Sequence, residues 1–239
     1  MKRSLCSFFL SFLFVTSFSY AQDSRQIQTI STEDIRSYLS QVADYAIIYS
    51  GRIEDPYLLN PINHPYLDTS AFHAGTLCYN DIIYENVMLR YDMYRENILA
   101  KHSRLPYGVE LNKEKVSWAI FNGYKLIVPK EVDWTNVPDN RFLILLHEDT
   151  YPVIKIAGAS LQNRVNNDKI EYYFNFNNQY YICVNGVCYP LKNKRSILDL
   201  FLDKKRELNQ YIKQVGLNFR KNPDVAFVEL TKQYARLSR

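Results

Sequence analysis

From residue 75 onward the chain alternates short apolar runs with polar turn pairs, the pattern of consecutive antiparallel hairpins. GTLCY is followed by Asn80-Asp81, IIY by Glu85-Asn86, and then VMLRYDMY. The spacing continues through YGVELN, KVSWAIF, Asn122-Gly123, YKLIVP, RFLILLHE, YPVIKIA, KIEYYFNF, Asn177-Asn178 and QYYICV. Roughly nine to eleven strands are predicted. Tyr, Phe, Ile and Val dominate the runs, as suits a half-buried pleated surface. Such a meander must close on itself or lay its apolar face against a cover, because an open edge recruits other strands.

Helical spacing occurs near the two ends. Thr32-Glu33-Asp34 followed by Ile35, Leu39, Val42 and Ala43 predicts a short helix over about 33–44. AIIYSG after it is a β-branched run closed by Gly51. EDPYLLNPINHPYLD, with three prolines, reads as a loop, because proline fits neither a central strand nor a helix interior. At the other end, Ser196 and Asp199 read as a capping-box variant before ILDLFL. Leu208, Tyr211, Ile212 and Val215 then mark a helical face that Gly216 ends. Asn222-Pro223-Asp224 opens a last helix with Phe227, Leu230, Tyr234 and Leu237 on one side. The expected fold is α+β: a curved antiparallel meander or barrel-like sheet, an N-terminal helix, and two to three C-terminal amphipathic helices packed on the sheet.

The first residues change where this fold is placed. MKRSLCSFFLSFLFVTSFSYAQ has a basic head at Lys2 and Arg3, a short apolar run and small residues before a break after Ala21, the order of a secretory signal. The run is diluted by Ser7, Ser11, Thr16 and Ser17 and is too short to anchor in a bilayer. Three segments follow: a signal peptide at 1–21, a β-rich domain with its N-terminal helix at 22–191, and a basic helical segment at 192–239. An exported chain in the periplasm or outer envelope, without a transmembrane span after cleavage, is expected. Charge is polarised along it. Residues 192–239 carry twelve Lys or Arg against five Asp or Glu, and residues 22–191 carry fifteen against twenty.

One resemblance bears on the same point. GTLCYNDIIYENVMLRYDMYREN, FNGYKLI and YPLKNKRSILDLFLDKKRELNQYIKQVGLNFRKN together resemble a family of exported proteins from Bacteroidota-type bacteria. Its shared features are a strand, an Asn or Asp turn, the string Y-x-N-V-x-L-x-Y-D and a Lys-rich helix after the last hairpin. The resemblance spans about residues 45–238 and implies export; it carries no activity.

Candidate chemistry begins with YYICVNGVCYP. If Asn185-Gly186 forms a type I′ turn, Val184 and Val187 are the hydrogen-bonded pair beside it. Cys183 and Cys188 then face each other at the next, non-hydrogen-bonded position, where side chains are close enough for a disulfide. An oxidising compartment favours that staple over a redox pair or a zinc clip, whose spacings are missing. Cys78 reads as a buried thiol, with His73 the local histidine that could serve it. His64, His73, His102 and His147 stand singly, and no metal or cofactor site is expected. His147, Glu148 and Asp149 end the run RFLILL and are the candidate catalytic residues for a hydrolase whose acid pair is assembled from distant strands. No nucleophile-elbow, metalloprotease or phosphate-loop pattern occurs, and seven glycines leave little for a nucleotide cradle. The reading therefore leans against an enzyme.

Binding is the expectation that remains. Tyr172, Phe174 and Phe176 read as a core face and Tyr173 as pointing outward, where a tyrosine can stack on a sugar or peptide. Lys194, Arg195, Lys204, Lys205 and Arg206 form a basic stretch open to an envelope protein, a peptide or an acidic glycan. Nucleic acid is not expected as a partner of an exported chain. A structural role in an envelope assembly is the other non-catalytic reading.

Overall fold

The computed structural model describes residues 47–102, 107–138 and 140–238. The signal segment and the helix expected over 33–44 lie outside the described residues. In chain order the strands are β1 (Arg52–Ile53), β2 (His73–Tyr79), β3 (Ile82–Asp92), β4 (Asn97–Lys101), β5 (Gly108–Glu110), β6 (Val116–Phe121) and β7 (Tyr124–Ile127). They continue as β8 (Leu143–His147), β9 (Val153–Ile156), β10 (Ala159–Asn166), β11 (Lys169–Phe176), β12 (Gln179–Val184) and β13 (Val187–Leu191). Three helices follow: α1 (Lys194–Leu200), α2 (Lys205–Val215) and α3 (Pro223–Leu237). The molecule is thus an antiparallel sheet with C-terminal helices, an α+β arrangement.

Eleven strands form a single sheet in the order β1-β5-β4-β3-β2-β6-β7-β8-β9-β12-β13, and β10 with β11 forms a separate hairpin. Among the described residues no pairing joins β1 to β13, so the sheet is open and does not close into a barrel. It is nevertheless strongly curled. β3 and β8 are four strands apart, about 19 Å in a flat sheet. Yet Tyr91 on β3 meets Phe142, the residue before β8, with ring centroids 5.7 Å apart. Arg141 beside it pairs with Glu96 from the β3–β4 turn at 2.5 Å. The curled face encloses the main core, which includes Leu77, Leu89, Ile98, Ala119, Leu126 and Ile144.

Turn chemistry explains most of the topology. Asn122-Gly123 (φ 49° and 76°) and Asn185-Gly186 (φ 52° and 79°) both take the two positive φ angles of a type I′ hairpin. Asn80-Asp81 (φ 54° and 63°) and Asn167-Asp168 (φ 48° and 62°) do the same without glycine, since Asn and Asp tolerate the left-handed region. Glu85-Asn86, expected as a turn, lies inside β3. Asn86 has φ 57°, and β3 advances three residues from Tyr84 to Val87 while β2 advances two, from Gly75 to Leu77. This is a bulge with one extra residue, which helps the sheet to curl. Gly75 faces β6 so closely that an added Cβ would lie 2.3 Å from the carbonyl oxygen of Ile120.

Other expectations shift. Asn177-Asn178 is not a hairpin turn, because β11 pairs with β10 whereas β12 pairs with β9 and β13. β4 and β10 exceed the expected strand set; ASLQNRVN is too polar to announce itself as a strand. Ile47–Tyr49 is a 3₁₀ turn instead of an extended run. Of the supposed core face of β11, Phe174 is buried, Tyr172 half-buried and Phe176 exposed, because the hairpin stands off the main sheet.

The helices cover the β9, β12 and β13 end of the curled face. Ile197, Leu198, Phe201, Leu208, Ile212, Phe227 and Leu230 pack with Val153, Tyr180, Ile182 and Leu191. α1 starts earlier than expected: Asn193 is the cap, accepting from the backbone N–H groups of Arg195 and Ser196, and Ser196 supplies the returning half of the capping box. ILDLFL is broken at Phe201, which turns inward to stack on Tyr234 at 3.6 Å. Gly216 closes α2 in the left-handed conformation (φ 69°), while Val215 is exposed instead of packed. Asp224, in the first turn of α3, holds that helix to the sheet. It accepts from Lys155 Nζ on β9 at 2.9 Å and from the Tyr180 hydroxyl on β12 at 2.5 Å.

Candidate functional site

Strand alternation divides β7, β8, β9 and β12 between two faces. Leu126, Ile144, Val153 and Ile182 point into the curled side, whereas Ile127, Leu143, Ile154, Ile156 and Cys183 build a second, smaller core on the outer side. The segment 132–137 crosses that outer side and lays Val132, Trp134 and Val137 over it. It is tied down at the sheet edge. Thr135 N–H donates to Gly186 O at 2.9 Å, and Cys188 N–H donates to Thr135 O at 3.0 Å.

Those bonds explain the cysteine pair. Cys183 and Cys188 are cross-strand partners joined as a disulfide, next to the Val184–Val187 pair. The N–H of Cys183 points away to Pro152 O and that of Cys188 to Thr135 O, as expected of a non-hydrogen-bonded position. Both sulfur-bearing residues are buried in the outer core against which Trp134 packs. The staple therefore lies beneath the aromatic segment and fixes the edge on which that segment rests.

Trp118 on β6 and Trp134 line one open groove of about 350 Å³. These are the only tryptophans of the chain. Ile127, Leu145, Val132 and Pro152 complete its apolar lining, and Lys125, Glu131 and Glu148 supply charge. Lys125 Nζ pairs with Glu148 at 2.8 Å, and Lys130 with Glu131 at 3.9 Å. The two indoles thus stand beside a Lys125–Glu148 ion pair, with Glu131 the second carboxylate of the lining.

A second concavity, of about 390 Å³, opens on the curled side, lined among others by Asn63, His64, Asp68, Tyr124, Lys155 and Asn178. Its polar groups are largely engaged within the fold. The Asn63 amide is spanned by the backbone N–H and C=O of Phe174, Asp68 accepts from Asn122 at 2.9 Å, and Lys155 is held by Asp224. Burial raises the pKa of the Tyr124 hydroxyl, keeping it neutral. Asp68 and Asp224 both act on that hydroxyl, and each is already engaged, by Asn122 and by Lys155 with Tyr180.

The residues singled out in the sequence are dispersed. Glu148 reaches the Trp groove and pairs with Lys125. His147 is lowered in pKa by burial and then by the charge of Lys232 on α3, with Asp149 and Glu229 opposing. Asp149 turns to the N–H of Thr150 at 2.8 Å. Asp149 thus acts on His147, while Glu148 faces Lys125 in the groove. In β2 the His73 ring bonds Thr69 Oγ1 at 2.8 Å, and Cys78 is a buried free thiol. Tyr173 lies on β11, its hydroxyl donating to Gln162 at 3.1 Å with the Arg164 guanidinium over its ring. Arg195 and Lys205 converge on Asp199, at 3.4 Å and 2.8 Å; Lys194 opens α1, while Lys204 and Arg206 flank Lys205. Sequence reasoning missed both tryptophans. The available signal was an indole in EVDWTNVP, a turn-rich segment where a large aromatic has no strand face to occupy.

Among the described residues no group of three His, Cys, Asp or Glu side chains is placed to hold a metal ion. No described helix is long and apolar enough to cross a membrane. No protein-family model matches the chain, and no curated protein or solved structure is significantly similar to it.

Proposed function

We propose that this is an exported, non-catalytic protein of the bacterial cell envelope that binds a peptide, glycan or protein partner. The resemblance to exported proteins of Bacteroidota-type bacteria and the signal-like first residues support the location. A disulfide on an edge hairpin suits an oxidising compartment. The observation that carries the binding reading is the pair of half-buried tryptophans set in one groove and left out of the main core.

Tryptophan emission of the mature protein, recorded against protein, peptide and glycan fractions of a bacterial envelope, tests this reading. A saturable change with one fraction, lost in Trp134→Ala, is the expected result. Turnover of any fraction by a catalytic amount of protein would overturn the non-catalytic assignment, and silence towards all three would overturn the groove. The hydrolase alternative retains Glu148 as its candidate acid, but that carboxylate is already engaged by Lys125 at 2.8 Å.

A further inference from the structure

We infer that the Trp118–Trp134 groove is a saccharide subsite whose ligand is a neutral pyranose chain; this rests on the binding reading above and names its ligand class. Different ligand chemistries would act differently on Lys125 and Glu148. Their ion pair, 2.8 Å long, stands beside the indoles, with the Lys125 side chain 36% and the Glu148 side chain 53% exposed. A purely apolar peptide segment laid over the tryptophans would strip water from this pair and return no hydrogen bonds. A strongly charged ligand would have to compete with one member of the pair for the other. A sugar ring does neither. Its C–H face lies on an aromatic ring, and its equatorial hydroxyls donate to the carboxylate and accept from the ammonium without separating them.

The groove is also preorganised, which a weak polyhydroxyl ligand requires, because ordering a loop on binding would consume the modest energy of stacking. Trp118 is set in a central strand between β2 and β7. Trp134 is held by the backbone bonds of Thr135 to Gly186 and Cys188 above the Cys183–Cys188 staple.

Because the chain has two tryptophans and both line this groove, tryptophan emission excited at the red edge of absorption, where the twenty tyrosines contribute little, reports on it. The test titrates the full mature protein with cellohexaose, chitohexaose, maltohexaose and the acidic hexamer of galacturonic acid. Calorimetry supplies the affinities. The inference expects a saturable emission change with at least one neutral hexamer and a loss of ~10-fold or more in affinity in Trp134→Ala, as for an aromatic anchor. Trp134→Phe, which keeps a ring, should retain most of it, and Glu148→Gln should weaken binding less than ring removal. Circular dichroism establishes that each variant is folded. Preferential binding of the galacturonic hexamer would overturn the neutral-ligand assignment. No response to any hexamer, with a Trp134-dependent response to the peptide or protein fraction, would overturn the saccharide inference and leave the binding reading standing. No response to hexamers or to any fraction would overturn both.

Discussion

Removing the Asp224 carboxylate should loosen the union of sheet and helices. Lys155 is only 8% exposed, and its ammonium meets Asp224 Oδ2 at 2.9 Å. The same carboxylate accepts from Tyr180 at 2.5 Å. Asp224→Ala strands a buried cation and a buried hydroxyl together. Breaking a fully buried pair costs about 3–5 kcal/mol, and an orphaned hydroxyl about 1 kcal/mol or more. The Asp224 side chain is 35% exposed, so water can reach part of the site and the sum is discounted. A loss of about 2–3 kcal/mol is expected, or roughly 5–10 °C in Tm for a domain of this size. Urea denaturation read by far-ultraviolet circular dichroism measures it. Adding Lys155→Met should restore part of the loss, because an apolar side chain replaces the stranded charge. A loss below about 0.5 kcal/mol, or a double variant worse than Asp224→Ala alone, would refute the reasoning.

Thiol counting on the denatured, unreduced chain after removal of residues 1–21 should find Cys78 alone; three thiols would dissolve the staple. Reduction should cost less than the ~3 kcal/mol of a fifteen-residue loop, since the closed loop is much shorter, while Trp134 emission moves to the red as its edge loosens. Asp92 is fully buried, accepting from the N–H groups of Tyr94 and Arg95 at 2.9 Å each and from the Tyr57 hydroxyl. Burial outweighs those bonds and raises its pKa above the ordinary 3.8. The folded chain therefore keeps a proton that the unfolded chain has released, and stability should fall as pH rises from about 3.8 through the raised value, with no such loss below 3.8. Denaturation midpoints of Asp92→Asn across that window should lack this fall; an unchanged slope would assign it elsewhere. Gly75→Ala should cost about 2–3 kcal/mol through its clash with the Ile120 carbonyl, whereas Gly123→Ala, with open space around it, should cost about 1 kcal/mol from its φ of 76° alone. Equal losses in the two would refute the close-approach argument.

Local chemistry was legible wherever a residue type answers to its immediate neighbours. Asn122-Gly123 and Asn185-Gly186 announce type I′ turns because their φ requirement is met within two residues. Cys183 and Cys188 then face each other by strand alternation alone. Asn222-Pro223-Asp224 marked the start of α3 correctly, although Asp224 spends its carboxylate on Lys155 and Tyr180, which are distant in sequence. Glu85-Asn86 misled for an instructive reason: a left-handed Asn serves a bulge as well as a turn, and only the partner strand decides between them. β10 was missed because its pairing with β11, not its composition, makes it a strand.

The sequence by itself thus determined the class of the fold, the hairpin turns, the cysteine pairing and the helical tail. Those follow from dihedral preference, periodicity two or 3.6, and neighbours a few residues apart. Only the tertiary structure decided how far the sheet curls, that it stays open, that Glu148 is taken up by Lys125, and that Trp118 and Trp134 share a groove. Each of these depends on side chains dozens of residues apart, brought together by strand order and by the cover of one segment over a sheet face. No spacing along the chain encodes that order.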